Sequence, residues 1–167
     1  MNTTENAPSA EQQWLARQEI AQLQRLYAQA TDLIAADSEA NEAAVAATYL
    51  QIFTTDAQFG VRGQMSASGP LAWLEFVKTS LSALRGTQHL IGSQVVEINS
   101  LPDLQGVGGI AVMTSYLHAT QVGADGEVSR VTGTYFSTAT HTSEAGWQIS
   151  EMMLEVLAVD APGTRSR

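Results

Sequence analysis

Between Ile110 and Val159 the chain carries three long segments of β-forming residues separated by turn signals, and this stretch limits the fold more than any other. Ile110–Val122 is apolar and rich in β-branched side chains, Gly123-Ala124-Asp125-Gly126 reads as a hairpin turn, and Val128–Thr142 returns as an alternating strand. Gly146-Trp147-Gln148-Ile149 opens a last strand running to about Val159. Strands joined this closely pair antiparallel, so the C-terminal half is a meander.

The N-terminal half has helical spacing instead. From Glu11 onward Ile20, Leu23, Leu26, Tyr27, Ala30, Leu33 and Ile34 recur at three and four residues, while Gln22, Gln24 and Arg25 form a wet side. Asp37-Ser38 interrupts the pattern. A second helix is expected from Glu39 to Phe53, burying Val45, Tyr49, Leu50 and Phe53. Ala57–Val61 reads as a short strand and Gly63–Gly69 as a loop of small residues. Pro70 then opens a third helix, with Leu71, Leu74, Val77, Leu81 and Leu84 as its apolar face and Gly86 as its terminator. The expected class is α+β: three N-terminal helices packed on a curved, mainly antiparallel sheet, a cone-shaped barrel with an apolar mouth. One domain over residues 11–159 is expected, with a flexible arm at 1–10 and a flexible tail at 160–167.

Composition removes several function classes. The 167 residues are 44% hydrophobic and 15% charged, which is the balance of a packed domain. A net charge of -9, with Lys78 the only lysine, provides no basic stripe for nucleic acid and repels anionic lipid. No apolar run reaches the length of a bilayer crossing. With no cysteine there is no disulfide, thiolate nucleophile or thiolate metal site. Met1–Ala10 is polar and lacks the basic-then-apolar order of a secretion signal, so a cytoplasmic location is expected.

The lead for chemistry is Gly86-Thr87-Gln88-His89-Leu90-Ile91-Gly92-Ser93, which runs into Val95-Val96-Glu97-Ile98. A histidine at the mouth of a strand can present its imidazole to a cavity and exchange protons near neutral pH. The residues alone leave open a histidine bonded only to backbone. Asp32 is the best carboxylate to orient it. It lies about 140° around an ideal helix from Tyr27, so it must approach from the helix flank; a solvated or capping role competes. Asp37 marks a helix end. Tyr27 lies within the apolar face, and a buried phenol needs a partner that a substrate oxygen or water could supply.

Further along, Tyr116, His118 and Thr120 share one strand face, which points either into the pocket or outward. Thr134 and Tyr135 face oppositely, so only one of them lines a pocket; His141 is expected to be exposed. No histidines show metal-ligand spacing, and there is no phosphate-binding glycine loop and no Gly-x-Ser-x-Gly elbow. Neither metal nor cofactor is expected.

Three features together resemble the SnoaL-like branch of the nuclear-transport-factor-2-like superfamily. They are Leu26-Tyr27-Ala28 with Asp32 five residues after the tyrosine, Phe53-Thr54-Thr55-Asp56-Ala57, and Thr87-Gln88-His89-Leu90-Ile91-Gly92. Ser115-Tyr116-Leu117 and Gly146-Trp147-Gln148-Ile149 also fit, and the similarity spans residues 12 to 158. The resemblance implies a cone-shaped α+β barrel, often a dimer or trimer. The family's enzymes include scytalone dehydratase, bile acid 7α-dehydratase, ketosteroid isomerase and polyketide cyclases; other members only bind or assemble. It implies an essential histidine at His89 and site roles for Tyr27 and Asp32. A further polar residue, usual four positions after the Tyr116 aromatic, is replaced here by Thr120, and His118 could substitute for it. Val61 stands where ketosteroid isomerase has its catalytic aspartate, which argues against that chemistry.

The expected function is a cofactor-independent, dehydratase-like lyase acting on an apolar hydroxylated aromatic, steroid-like or polyketide compound. His89 would move the proton, Asp32 would orient it and Tyr27 would bind an oxygen, with Val61, Tyr116, His118, Thr120 and Thr134 in contact with substrate. An isomerase or cyclase using the same residues is the enzymatic alternative, and a small-molecule binding module the non-enzymatic one. A homodimer is expected to cover the exposed sheet face, with a trimer as the alternative.

Overall fold

The first helix begins where its sequence supplies a cap. Ser9 Oγ accepts from the Gln12 N–H (3.1 Å), and Gln12 Oε1 accepts in return from the Ser9 N–H (2.9 Å), which satisfies two amides the helix cannot. In the computed structural model, which describes residues 9–161, α1 then runs over Ala10–Ala36. It ends at Asp37, whose N–H donates to the Leu33 carbonyl while its carboxylate accepts from Ala40 N–H at 3.0 Å and starts α2 (Ser38–Ile52). Asp37 thus serves as a double cap. Pro70 occupies the first turn of α3 (Pro70–Leu81), behind Gly69 at φ 84°.

Six strands form one open sheet: β1 (Phe53–Val61), β2 (Gln64–Ser68), β3 (Leu84–Ser100), β4 (Gly109–Gly123), β5 (Val128–Thr142) and β6 (Gly146–Asp160). Their order is β2-β1-β6-β5-β4-β3, with β1 parallel to β6 and every other neighbouring pair antiparallel. The three helices and this mixed sheet make the α+β cone. Register shifts at Phe59/Gly60, Gly92/Val95, Thr132/Gly133 and Thr138/Ala139 bend the strands.

On the inner face Ala111, Met113, Leu117 and Ala119 of β4, Tyr135 and Ala139 of β5, and Ile149 and Met152 of β6 meet the stripe Ile20, Leu23, Tyr27, Ala30 and Ile34 of α1. A run of touching rings, Tyr27, Tyr49, Phe53, Phe59 and Trp73, crosses this core. Each such buried side chain contributes about 1.5–3 kcal/mol relative to exposure. β3 is a sheet edge, and α1 bonds along it: Arg17 Nε of α1 donates to the Val96 carbonyl (3.3 Å), and Gln94 Nε2 of β3 donates to the Ala21 carbonyl of α1 (2.9 Å).

The structure corrects several expectations. Gln64–Ser68 is a strand, not a loop, because the left-handed pair Arg62 (φ 55°) and Gly63 (φ 73°) turns the chain back onto β1. β3 begins at Leu84, so Leu84 does not extend α3 and His89 lies within the strand instead of at its start. Leu33, Leu50 and Leu71, expected on buried faces, are exposed, while Ile52 and Trp73 are buried. His141 is half-buried, with Nδ1 bonded to the Gly106 carbonyl (2.8 Å). Most of the expected arm (1–8) and tail (162–167) lies outside the described residues. No described helix is long and apolar enough to cross a membrane.

Candidate active site

The carboxylate of Asp32, near the C-terminal end of α1, meets His89 on β3. Asp32 Oδ1 lies 2.6 Å from His89 Nδ1, and both carboxylate oxygens accept from the His89 backbone N–H at 3.1 Å. The imidazole is 8% exposed and the carboxylate 26%. A bond from Nδ1–H to a carboxylate fixes the neutral tautomer, which leaves Nε2 as the acceptor.

His89 lines a hollow of about 340 Å³, shared with Tyr27, Thr31, Trp73, Tyr135 and Val61 and otherwise walled mainly by aliphatic side chains such as Leu117, Leu154 and Val156. That size and lining suit a small, mostly apolar molecule. Two other pockets are somewhat larger, about 480 and 470 Å³, but their linings include neither His89 nor Tyr27, and the Lys78 ammonium in one is held by Glu42 and Glu75. Among the described residues no cluster of three or more acidic or histidine side chains could hold a metal.

Tyr27 enters the hollow from the buried stripe of α1, and its ring packs edge-on to Tyr135 at 6.0 Å. Burial raises the Tyr27 phenol above its ordinary pKa of 10.0; Thr31, Trp73 and Tyr135 beside it oppose that rise, and the Asp32 charge adds to it. Burial also pushes Tyr49 and Tyr135 well above 10.0, and Tyr49 exchanges a 2.8 Å bond with Thr31. All three phenols are therefore neutral donors at neutral pH. Trp73 is stacked on Phe59 (4.9 Å, 3°) and on Phe76 (4.9 Å, 12°), and its buried Nε1 has no hydrogen-bond partner.

The structure brings Tyr27, Asp32, His89 and Val61 to this region, with Asp32 behind the imidazole. It does not bring Tyr116, His118, Thr120 or Thr134. On β4 the buried residues Ser115, Leu117 and Ala119 face inward, so the alternation turns Tyr116 (62% exposed), His118 and Thr120 to the outer face. On β5 Tyr135 faces inward and Thr134 outward. Of the pair Thr134 and Tyr135, left open in the sequence, Tyr135 is the inner one, and the inner residues missed from sequence are Trp73, Thr31 and Leu117. Their signal was weak for β4, because both faces of that strand carry apolar residues.

The sequence profile of the SnoaL-like domain family matches residues 12–153, which is most of the chain. The chain belongs to the SnoaL-like domain family. Solved structures of this NTF2-like superfamily share its fold. A hexachlorocyclohexane dehydrochlorinase, LinA-type3, from Novosphingobium barchaimii LL02 superposes with a TM-score of 0.73 at 13% identity, covering 93% of this chain and 96% of that one. A scytalone dehydratase-like protein of Novosphingobium aromaticivorans DSM 12444 gives 0.70 at 16% identity, with 95% and 100% covered. The Kfla4162 protein of Kribbella flavida gives 0.68 at 21% identity, with 87% and 93% covered. At these identities the likeness is one of fold. No curated protein matches this SnoaL-like chain.

Proposed function

We propose that this SnoaL-like protein is a cofactor-independent lyase that eliminates a small group, such as water, from an apolar hydroxylated ring compound. The observation that carries this reading is the 2.6 Å contact between Asp32 and His89 Nδ1 at the wall of an apolar hollow. Asp32 holds the imidazole in one tautomer and stabilises the cation formed when Nε2 takes a proton from substrate carbon. The electron pair of that C–H bond becomes the new double bond. The neighbouring carbon–oxygen bond breaks, and the leaving hydroxyl takes the proton from the imidazolium, so water departs and His89 is restored. Tyr27, protonated at working pH, donates a hydrogen bond to a substrate oxygen.

Two neighbours of like fold are named for elimination chemistry, a dehydrochlorinase and a scytalone dehydratase-like protein, which favours a lyase over an isomerase or cyclase using the same residues. The outer sheet face exposes Leu90, Val95, Tyr116 and Phe136, and a second copy of the chain would cover it.

The test is a mass-spectrometric screen of hydroxylated aromatic, steroid-like and polyketide compounds for loss of water, run with the wild type and His89→Ala. Turnover by the wild type, with at least about a 100-fold loss in a folded His89→Ala, is expected. Equal turnover by the two proteins would remove His89 from the mechanism.

A further inference from the structure

A buried indole N–H with no acceptor is unusual, because leaving a donor unmet costs free energy that folded proteins seldom retain without a reason. Trp73 has one: its ring is 4% exposed and its Nε1 is unbonded. Stacking on Phe59 and Phe76 fixes the ring, so the donor cannot swing away to water. It belongs to the wall of the hollow, together with Tyr27 and Tyr135. An indole N–H can only donate, whereas a phenol oxygen can accept while its own proton goes elsewhere. Trp73 and Tyr135 share that wall with Tyr27 and both act to lower the Tyr27 phenol pKa, against the rise that burial causes. The hollow therefore has two unlike walls. One offers the His89 acceptor backed by Asp32; the other offers the donor-only Trp73 N–H and the Tyr27 and Tyr135 hydroxyls.

We infer that Trp73 is a positioning residue: with Tyr135 it directs the Tyr27 hydroxyl toward a ligand oxygen that carries or gains negative charge. When Tyr27 donates to such an oxygen, its own oxygen becomes more negative and draws the waiting Trp73 N–H into a hydrogen bond, each bond strengthening the next. A contact that no protein group makes and that forms only against an anion favours the charged state of the ligand over the neutral one. The ligand class that follows is a ring compound bearing an ionisable or enolisable oxygen. In an elimination, the C–H bond beside the carbonyl breaks, the proton goes to His89 Nε2 and the electron pair is held on that oxygen as an enolate until the leaving group departs. This deepens the lyase reading and rests on it for that last step alone; the preference for an anionic oxygen stands apart from turnover.

The probe is p-nitrophenol, whose visible absorption reports its ionisation. It is titrated across pH in the presence of wild type, Trp73→Phe, Tyr135→Phe, Tyr27→Phe and His89→Ala, each checked for its thermal midpoint. In the wild type the bound probe should ionise at lower pH than the free probe. Trp73→Phe, which keeps an aromatic ring for the stack but removes the N–H, should reduce the preference for phenolate by about 3- to 10-fold at an unchanged midpoint. Tyr135→Phe should do the same, and it decides the matter if Trp73→Phe does not fold. Tyr27→Phe should abolish the preference and His89→Ala should retain it. Absence of saturable binding, an unaltered preference in the folded Trp73→Phe or Tyr135→Phe protein, or loss of the preference in His89→Ala would overturn the inference. Since His89→Ala removes the base and leaves the donors, failure of the lyase reading and failure of this one give different results.

Discussion

Asp32 holds His89 at two points, through the ring at Nδ1 and through the strand at its backbone N–H. The two bonds separate orientation of the imidazole from attachment of the strand. Asp32→Asn keeps an acceptor oxygen for the amide but can no longer stabilise an imidazolium. It should fold with a thermal midpoint close to that of the wild type and lose about 100- to 10,000-fold in turnover. Asp32→Ala should lose the same activity and in addition about 1–3 kcal/mol in a denaturant titration, because the His89 N–H is left unmet.

The three buried phenols make alkaline stability a readout of the core. Tyr27, Tyr49 and Tyr135 each have folded pKa values raised above 10.0, by burial first of all. The unfolded chain therefore releases these protons first. The stability they contribute is complete below about pH 10 and is lost as pH rises toward the folded values. Ultraviolet titration should show no phenolate from these rings until the fold opens, and Tyr135→Phe should flatten the alkaline fall in stability. Native-state ionisation of all three would contradict the buried arrangement.

Gly133 sits where β5 meets the bulge in β6, and a Cβ there would collide with the Glu155 carbonyl and press on the Leu154 side chain. Since the obstacle is backbone, it cannot simply swing aside. Gly133→Ala should cost about 1–3 kcal/mol, read as a lower denaturation midpoint. Gly92→Ala, which meets nothing within 4 Å, serves as the mild control.

The outer face gives a prediction about assembly. Tyr116→Asp combined with Phe136→Glu places charge where a second copy would pack, and neither residue touches the hollow. Sedimentation should then show the double variant as a monomer and the wild type as a dimer. A wild-type monomer would dismiss the second copy.

Much of this was legible in the residues because local rules and the global fold agree. The stripe on α1, the cap pair at Asp37 and the hairpin at Gly123–Gly126 each have one physical solution, and the topology follows from them. The meeting of Asp32 with His89 was legible only as a requirement: the helix angle separates Asp32 from Tyr27, and only packing of α1 across β3 shows which neighbour the flank finds. Tyr116, His118 and Thr120 were misplaced because β-branched and apolar side chains occupy both sides of β4, so alternation set the period but not the phase. Trp73 stands outside the apolar face read for α3, and that its nitrogen lacks an acceptor depends on packing against other elements, which no local pattern contains.

The outermost strand of the sheet also bears on solubility. A seventeen-residue strand with one side free would ordinarily be a template for the backbone of another molecule. Here the first helix lies along that side, and Asp32 and Arg17 occupy the very groups, His89 N–H and Val96 carbonyl, that an incoming chain would need. The carboxylate that holds the imidazole thus also closes this edge to an incoming backbone, so one side chain serves the hollow and the sheet edge together.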